Sequence, residues 1–142
     1  MTRNRKLPLG AGLSLLAALG SPAAASAQTV TCPPPLQPWT EISLYFGRDI
    51  PGGGTVGEPE FRDFLDAVVT PRFPDGLTVL DVTGQYRYRD RNIVREPTKL
   101  VVIYTQDAAA GPKVDQIIVE YKSRFRQESV ARDQEVNCVA FQ

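Results

Sequence analysis

The sequence predicts an α+β domain with the ferredoxin-like order β-α-β-β-α-β, in which two helices cover one face of a four-stranded antiparallel sheet. Three observations predict it. Strand-like segments place apolar residues at every second position. Two other segments repeat apolar residues at the i, i+3, i+4, i+7 spacing of an amphipathic helix. The two kinds of segment follow one another along 142 residues in the order that this fold requires.

The first half of the domain contains one strand and one helix. Residues 39–46, WTEISLYF, place Ile42, Leu44 and Phe46 on one face, as a half-buried strand requires. Residues 58–69 are predicted as a helix, which ends before the Thr-Pro pair that follows them. The apolar stripe of this helix consists of Phe61, Phe64, Leu65 and Val68.

The second half supplies the remaining strands and the second helix. Strands are predicted over residues 77–88, 93–105 and about 129–141, and a helix begins at the Gly-Pro pair 111–112 and runs to Phe125. In the middle one of these strands the run LVVIY is apolar on both faces, which predicts a central position in the sheet.

Residues 84–92, GQYRYRDRN, interleave arginine with aromatic side chains, as a nucleic-acid site does. The period of two is also that of a strand, and we interpret the segment as the tip of a hairpin with a two- or four-residue loop around Asp90 and Arg91. The expected cross-strand pairs are Tyr88 with Ile93, Tyr86 with Arg95, and Gln85 with Glu96. Pro97 is expected to introduce a bulge.

The amino terminus has the three parts of a secretory signal peptide. Residues 1–6 are basic, residues 7–19 are apolar, and residues 25–27 form a small-x-small ending. We therefore predict a signal peptide over residues 1–27 and a mature chain that begins at Gln28.

Beyond the signal peptide, we predict a proline-rich leader over residues 28–38 and a single domain over residues 39–142. No later segment provides the about 20 apolar residues of a membrane span. The residues before Cys32 read Thr-Val-Thr, which is not a lipidation box. A soluble protein of the periplasm or the extracellular space is expected, without a lipid anchor at Cys32.

The charge balance weighs against nucleic acid as a partner. The whole chain has 16 basic and 16 acidic residues, and removal of the three basic residues of the signal peptide leaves 13 and 16, a net charge of −3. Because affinity for nucleic acid comes mainly from phosphate neutralisation, we expect no nucleic-acid binding.

Cysteine and histidine content limits the chemistry. Cys32 and Cys138 are the only cysteines, and in an oxidising compartment they are expected to form a disulfide. A redox-active pair is the alternative, but it lacks the C-x-x-C spacing. The chain has no histidine, so zinc sites and histidine-based catalysis are not expected. We predict no metal and no cofactor.

Several strings together resemble the bacterial family catalogued as domain of unknown function 3574. They are LYFG at 44–47, TPRFPDGLTV at 70–79, GQYR at 84–87, REPTK at 95–99, Tyr121, Phe125 and QESV at 127–130. The resemblance covers nearly all of the mature chain, and it implies a small exported or lipid-anchored protein without an established activity. The aromatic residue after Gly-Gln is typically Trp in the family and is Tyr86 here.

Candidate site residues follow from the charged and polar side chains near the hairpin. For binding a small anionic ligand they are Arg72, Gln85, Arg87, Arg95 and Lys99. For acid-base chemistry they are Glu96 and Tyr45. Tyr45 is expected to meet Gln85 and Lys99 on the open face of the sheet. For Arg72, an ion pair with Glu96 or Asp81 is the structural alternative.

Two functional hypotheses remain. In the first, which we favour, the protein is a non-catalytic exported module that binds a small anionic or polar ligand, or that pairs through its open sheet face with a second copy, as a homodimer, or with another partner. The alternative is a cofactor-independent enzyme of the dimeric α+β barrel type, in which Arg95, Glu96, Tyr45 and Gln85 line a cleft for proton abstraction. The second hypothesis rests on analogy of fold.

Overall fold

The secondary structure follows the predicted order. A computed structural model of the chain describes residues 30–87 and 92–142. The predicted signal peptide and Tyr88, at the predicted hairpin tip, lie outside the described residues. The elements are β1 (Gln37–Gly47), α1 (Glu58–Phe64) with a π-helical turn (Leu65–Val69), β2 (Thr78–Arg87), β3 (Ile93–Thr105), α2 (Ala110–Phe125) and β4 (Ala131–Val139).

The four strands form one antiparallel sheet in the order β2-β3-β1-β4. This is an α+β fold with ferredoxin-like topology, as the sequence predicts. Strand β3 pairs with β2 on one side and with β1 on the other, which confirms the central position inferred from its apolar run. None of the described helices is long and apolar enough to cross a membrane.

Strand β1 shows how the two faces of the sheet differ. Ile42, Leu44 and Phe46 are completely buried on the face that packs against the helices, here called the helix face. The opposite face is here called the open face. Its side chains include Tyr45, Leu80, Val82, Tyr86, Val94, Glu96 and Leu100. Tyr45, Leu80 and Tyr86 are each at least 40% exposed there.

The core between sheet and helices is dominated by aromatic rings. The ring of Phe46 lies 4.6 Å from that of Tyr121 and 5.7 Å from that of Phe64. Phe61 and Phe125 complete the cluster at 6.2 Å and 4.8 Å from Tyr121. Edge-to-face contacts at these distances add to the energy of burial. The end of β1 is therefore held firmly from the helix side.

The first helix differs from its prediction in its last turn. It is α-helical only to Phe64, and the backbone amide of Thr70 donates to the carbonyl of Leu65, the five-residue spacing of a π-helix. The wider turn buries both Val68 and Val69. Regular α-helical periodicity predicts only Val68 on the buried face.

The register of the β2–β3 hairpin differs from the prediction by one residue. Arg87 pairs with Ile93, Tyr86 with Val94, Gln85 with Arg95, and Gly84 with Glu96. The predicted pairs are wrong because Ile93 lies opposite Arg87 and not Tyr88, and a shift of one residue moves every partner along the two strands by one. The predicted bulge at Pro97 is also wrong, since Pro97 pairs with Thr83 in a continuous ladder.

The predicted disulfide between Cys32 and Cys138 is present. Cys138 lies on β4 opposite Pro38, at the start of β1. The strand begins at Gln37, inside the predicted leader. The bridge therefore fixes the remaining leader residues against the last strand.

Candidate functional site

The open face carries a cavity of about 740 Å³ near the end of β1. The sheet contributes Tyr45, Gly47, Val82, Gly84, Tyr86, Val94, Glu96 and Thr98 to its walls. The loop after β1 contributes Asp49, Ile50 and Pro51, and the segment before β4 contributes Gln127, Glu128 and Ser129. Three separate parts of the chain thus meet around one concave surface.

Two glycines on neighbouring strands make room for the carboxylate of Glu96. A Cβ atom at Gly47 would lie only 2.8 Å from Oε1 of Glu96, a distance that real Cβ contacts do not reach. Gly84 is the cross-strand partner of Glu96, and a Cβ there would lie 3.1 Å from Oγ1 of Thr98. The Glu96 side chain therefore lies across the backbone of β1, in a wall of the cavity.

The environment of Glu96 favours its neutral form. Partial burial raises the pKa of Glu96, and the negative charge of Asp49 raises it further, while a hydrogen bond from the backbone N–H of Asp49 acts in the opposite direction. Glu128 adds another carboxylate to the lining. Among the described lining residues there is no lysine or arginine.

The raised pKa of Glu96 leads to a prediction about stability. A carboxyl group whose pKa is higher in the folded than in the unfolded chain binds more protons when folded, so its ionisation disfavours folding as the pH rises. This destabilisation is absent at a pH below the pKa of Glu96 in the unfolded chain and complete at a pH above its pKa in the folded chain. We expect Glu96→Gln to be at least as stable as the parent at pH 7.

Urea denaturation of both proteins between pH 4 and pH 7 measures this difference. The difference in free energy of unfolding between Glu96→Gln and the parent should grow as the pH rises above the pKa of a glutamate in an unfolded chain, about 4.3. A variant that loses stability at neutral pH relative to the parent would show that the Glu96 carboxylate is stabilised by its surroundings.

The cavity wall is anchored to the core through Gly47. The buried hydroxyl of Tyr121 donates to the carbonyl oxygen of Gly47 at 2.8 Å, and burial raises the pKa of Tyr121. The next residue, Arg48, donates through Nε to the carbonyl of Val56 at 2.6 Å. Its backbone amide donates to the carbonyl of Pro97. The strand end that Glu96 crosses is thus fixed by several independent contacts.

The structure brings together some of the predicted site residues. Tyr45 and Glu96 line the cavity from the open face. Gln85 is also a lining residue, but it pairs with Arg95, so its side chain belongs to the helix-face side and not to the open face, where the sequence predicts that it meets Tyr45. Arg87 and Arg95 are exposed and belong to the helix-face side of the hairpin, in register with Ile93 and Gln85. They do not appear among the lining residues.

Arg72 lies elsewhere, and its expected ion pairs are not those of the structure. It donates to the carbonyl of Val68 at 2.6 Å and to the side-chain oxygen of Gln116 at 3.3 Å. The guanidinium therefore holds the end of the π-helical turn against α2. The suggested ion pair with Glu96 or Asp81 is replaced by these contacts.

The expectation that Lys99 meets Tyr45 on the open face is wrong. Lys99 pairs with Phe46, so its side chain belongs to the helix face, where it is 4% exposed. Its ammonium lies 2.5 Å from Asp81 and 2.9 Å from Glu58. Burial lowers the pKa of Lys99, but the hydrogen bonds to these carboxylates outweigh burial and raise it. Lys99 therefore has a structural role.

Sequence reasoning missed the residues that the two loops supply. Asp49, Gln127 and Glu128 are far apart in the chain, and only the folded sheet brings them together. Gly47 offered a signal, because a glycine at the end of a regular strand often marks a close approach by another group. Which side chain approaches the glycine depends on the register of the neighbouring strands.

Comparisons with known proteins bear on the family and the fold. The family model described as "Protein of unknown function (DUF3574)" matches residues 41–141. No curated protein sequence matches the chain. A phage SAM lyase in complex with S-methyl-5'-thioadenosine has a TM-score of 0.56 and 16% identity, over 72% of this chain and 90% of that one.

Two further solved structures also match the chain. The same phage lyase in its apo state has a TM-score of 0.52 and 15% identity, over 74% of this chain and 93% of that one. CutA from Synechococcus elongatus has a TM-score of 0.43 and 13% identity, over 72% and 77%. At these identities the likeness to the lyase shows the fold alone.

Proposed function

We propose a function from the geometry of the site itself, because the chain belongs to the DUF3574 family, which is described only as proteins of unknown function. The protein is a non-catalytic binding module that holds a small organic molecule in the open-face cavity. The observation that carries this proposal is the cavity of about 740 Å³, which lies within the range of about 300–1,000 Å³ typical of small-molecule sites.

The lining indicates which ligands fit. Tyr45, Tyr86, Val82 and Val94 offer aromatic and apolar surface. Polar groups converge at one side, where the Glu96 carboxylate lies near Asp49. These features favour a neutral or positively charged ligand over the anionic ligand that the arginines of the sequence suggest. The phage lyase structure with S-methyl-5'-thioadenosine supports the idea that this fold can hold a small organic molecule.

An export compartment fits the same proposal. The protein contains the Cys32–Cys138 disulfide, and disulfides form and persist in oxidising compartments. We infer that the protein works in the periplasm or outside the cell, where it meets its ligand directly.

Gly47→Ala tests the binding proposal. Its Cβ would displace the Glu96 carboxylate, so we expect ligands to lose most of their effect on this variant. The measurement is the rise in thermal unfolding temperature of the mature protein with a panel of small cationic, neutral and anionic compounds. Compounds that stabilise the parent should be found among the cationic and neutral ones.

Gly111→Ala is the matched control, because a Cβ at Gly111 meets nothing within 4 Å. It should keep the full ligand-dependent shift. The proposal fails if no compound of the three charge classes stabilises the parent, or if Gly47→Ala retains the whole effect.

An acid-base enzyme is the alternative, and the raised pKa of Glu96 favours it. A carboxylate with a raised pKa in a concave site is suited to act as a general base. With a ligand identified, turnover of that ligand by the parent and its loss in Glu96→Gln, with binding retained, would establish catalysis. Binding without turnover supports the module.

Self-association is the remaining candidate, because the open face exposes apolar side chains at Tyr45, Leu80 and Tyr86. Two copies would bury these side chains by closing their open faces on each other as a homodimer. Leu80→Asp should then dissociate the dimer in a measurement of solution mass. An unchanged mass for the parent and the variant would exclude this mode of pairing.

A further inference from the structure

The opposite end of the open face carries a second, smaller cavity of about 230 Å³. Its walls include Trp39 from β1, Tyr104 from β3, Phe141 from the segment after β4, and Asp75 from the turn before β2. It shares no lining residue with the larger cavity. A ligand in the smaller cavity would therefore contact none of the residues that line the larger one.

Three aromatic rings form a corner at this cavity. The ring of Phe141 lies 5.1 Å from that of Trp39 at an interplanar angle of 75°. It lies 6.3 Å from the ring of Tyr104 at an angle of 72°. All three rings line the same small cavity, so a ligand there contacts aromatic surface from three parts of the chain. The faces of aromatic rings carry negative electrostatic potential and attract cations.

Acidic side chains surround the corner. Asp75 belongs to the lining. The hydroxyl of Tyr104 donates to Oε2 of Glu41 at 2.7 Å, and the amide of Asn137 donates to the same oxygen at 2.7 Å and to Glu135 at 3.0 Å. The described lining contains no lysine or arginine. Carboxylates thus lie in the lining and next to Tyr104, and no basic side chain of the described lining offsets them.

We propose that this aromatic corner, formed by Trp39, Tyr104 and Phe141, binds a quaternary ammonium group. Such a group lacks N–H donors and is weakly hydrated, so ring faces can replace its water shell at small cost. The nearby carboxylates supply long-range attraction. An anionic or purely apolar ligand gains nothing from these charges.

The only tryptophan of the chain is Trp39, so its fluorescence reports directly on the site. The experiment titrates the mature, oxidised protein with choline chloride and, at the same ionic strength, with the uncharged isostere 3,3-dimethylbutan-1-ol. We expect a saturable change of Trp39 emission with choline and affinity roughly tenfold higher than for the alcohol. Equal affinities, or no saturable response to choline, would overturn the proposal.

Variants of Phe141 test the role of the ring. Phe141 is 69% exposed, so its replacement leaves the core intact. Phe141→Tyr should keep the preference for choline, whereas Phe141→Leu, which retains apolar volume without a ring, should lose about fivefold or more of the choline affinity. Val119→Ala, on the exposed surface of α2, is the control and should bind as the parent does. Unchanged choline affinity in Phe141→Leu would contradict an aromatic site.

The quaternary ammonium could come from a free solute or from a lipid headgroup. Sedimentation with phosphatidylcholine vesicles, compared with phosphatidylglycerol vesicles, distinguishes the two. Choline binding without vesicle binding identifies a soluble ligand, and choline-competable binding to phosphatidylcholine alone identifies the headgroup. Stronger binding to phosphatidylglycerol would contradict selection for the ammonium group.

Discussion

Replacing Cys32 and Cys138 together by serine is expected to lower the free energy of unfolding by about 4–5 kcal/mol. The disulfide joins residues 106 positions apart, so it restricts nearly the whole unfolded domain. The loss of that restriction raises the conformational entropy of the unfolded state. Urea denaturation of the oxidised parent and the double variant measures the difference.

The reduced parent is the control for this prediction. Reduction removes the same cross-link without changing the residues, so it should reproduce the loss seen in the variant. If both forms lose less than about 1 kcal/mol, the leader must stay docked without the bridge, and the entropic explanation would be wrong.

Phe46→Ala is expected to cost about 3–5 kcal/mol, because Phe46 is completely buried among the rings of Phe61, Phe64 and Tyr121. The neighbouring Tyr45 points to the open face and is 40% exposed. Tyr45→Ala should change stability by less than about 1 kcal/mol and should instead weaken ligand binding in the open-face cavity. Chemical denaturation of the two single variants compares them directly.

The pair of variants controls for the shared position on β1. Both remove an aromatic ring from the same strand, so a difference between them reports which face each ring occupies. A loss of stability in Tyr45→Ala as large as that in Phe46→Ala would contradict the assignment of the two faces.

The architecture was predictable because it depends on periodicity, which the sequence displays. Alternation along β1 separates Phe46 from Tyr45 without knowledge of any partner strand. The run around Val101, apolar on both faces, indicates a central strand in the same way. The π-helical turn was not predictable, because the extra residue that it accommodates leaves no mark in the local pattern.

The site was only partly predictable because it depends on register and on loops. Because Ile93 pairs with Arg87 and not with Tyr88, the partner of Gln85 is Arg95 and not Glu96. Lys99 belongs to the helix face because it is the partner of Phe46, a relation between strands that β3 alone does not reveal. Asp49 and Glu128 reach the cavity only through the folded connections.

Native mass spectrometry of the mature protein, purified gently from an oxidising export compartment, tests most directly whether the open-face cavity is a ligand site. The parent should carry one intact disulfide and a small-molecule adduct, on a monomer or a dimer, and the adduct should be absent from Gly47→Ala purified in the same way. A bare parent, or the same adduct on the parent and on Gly47→Ala, would contradict a ligand site built around Glu96.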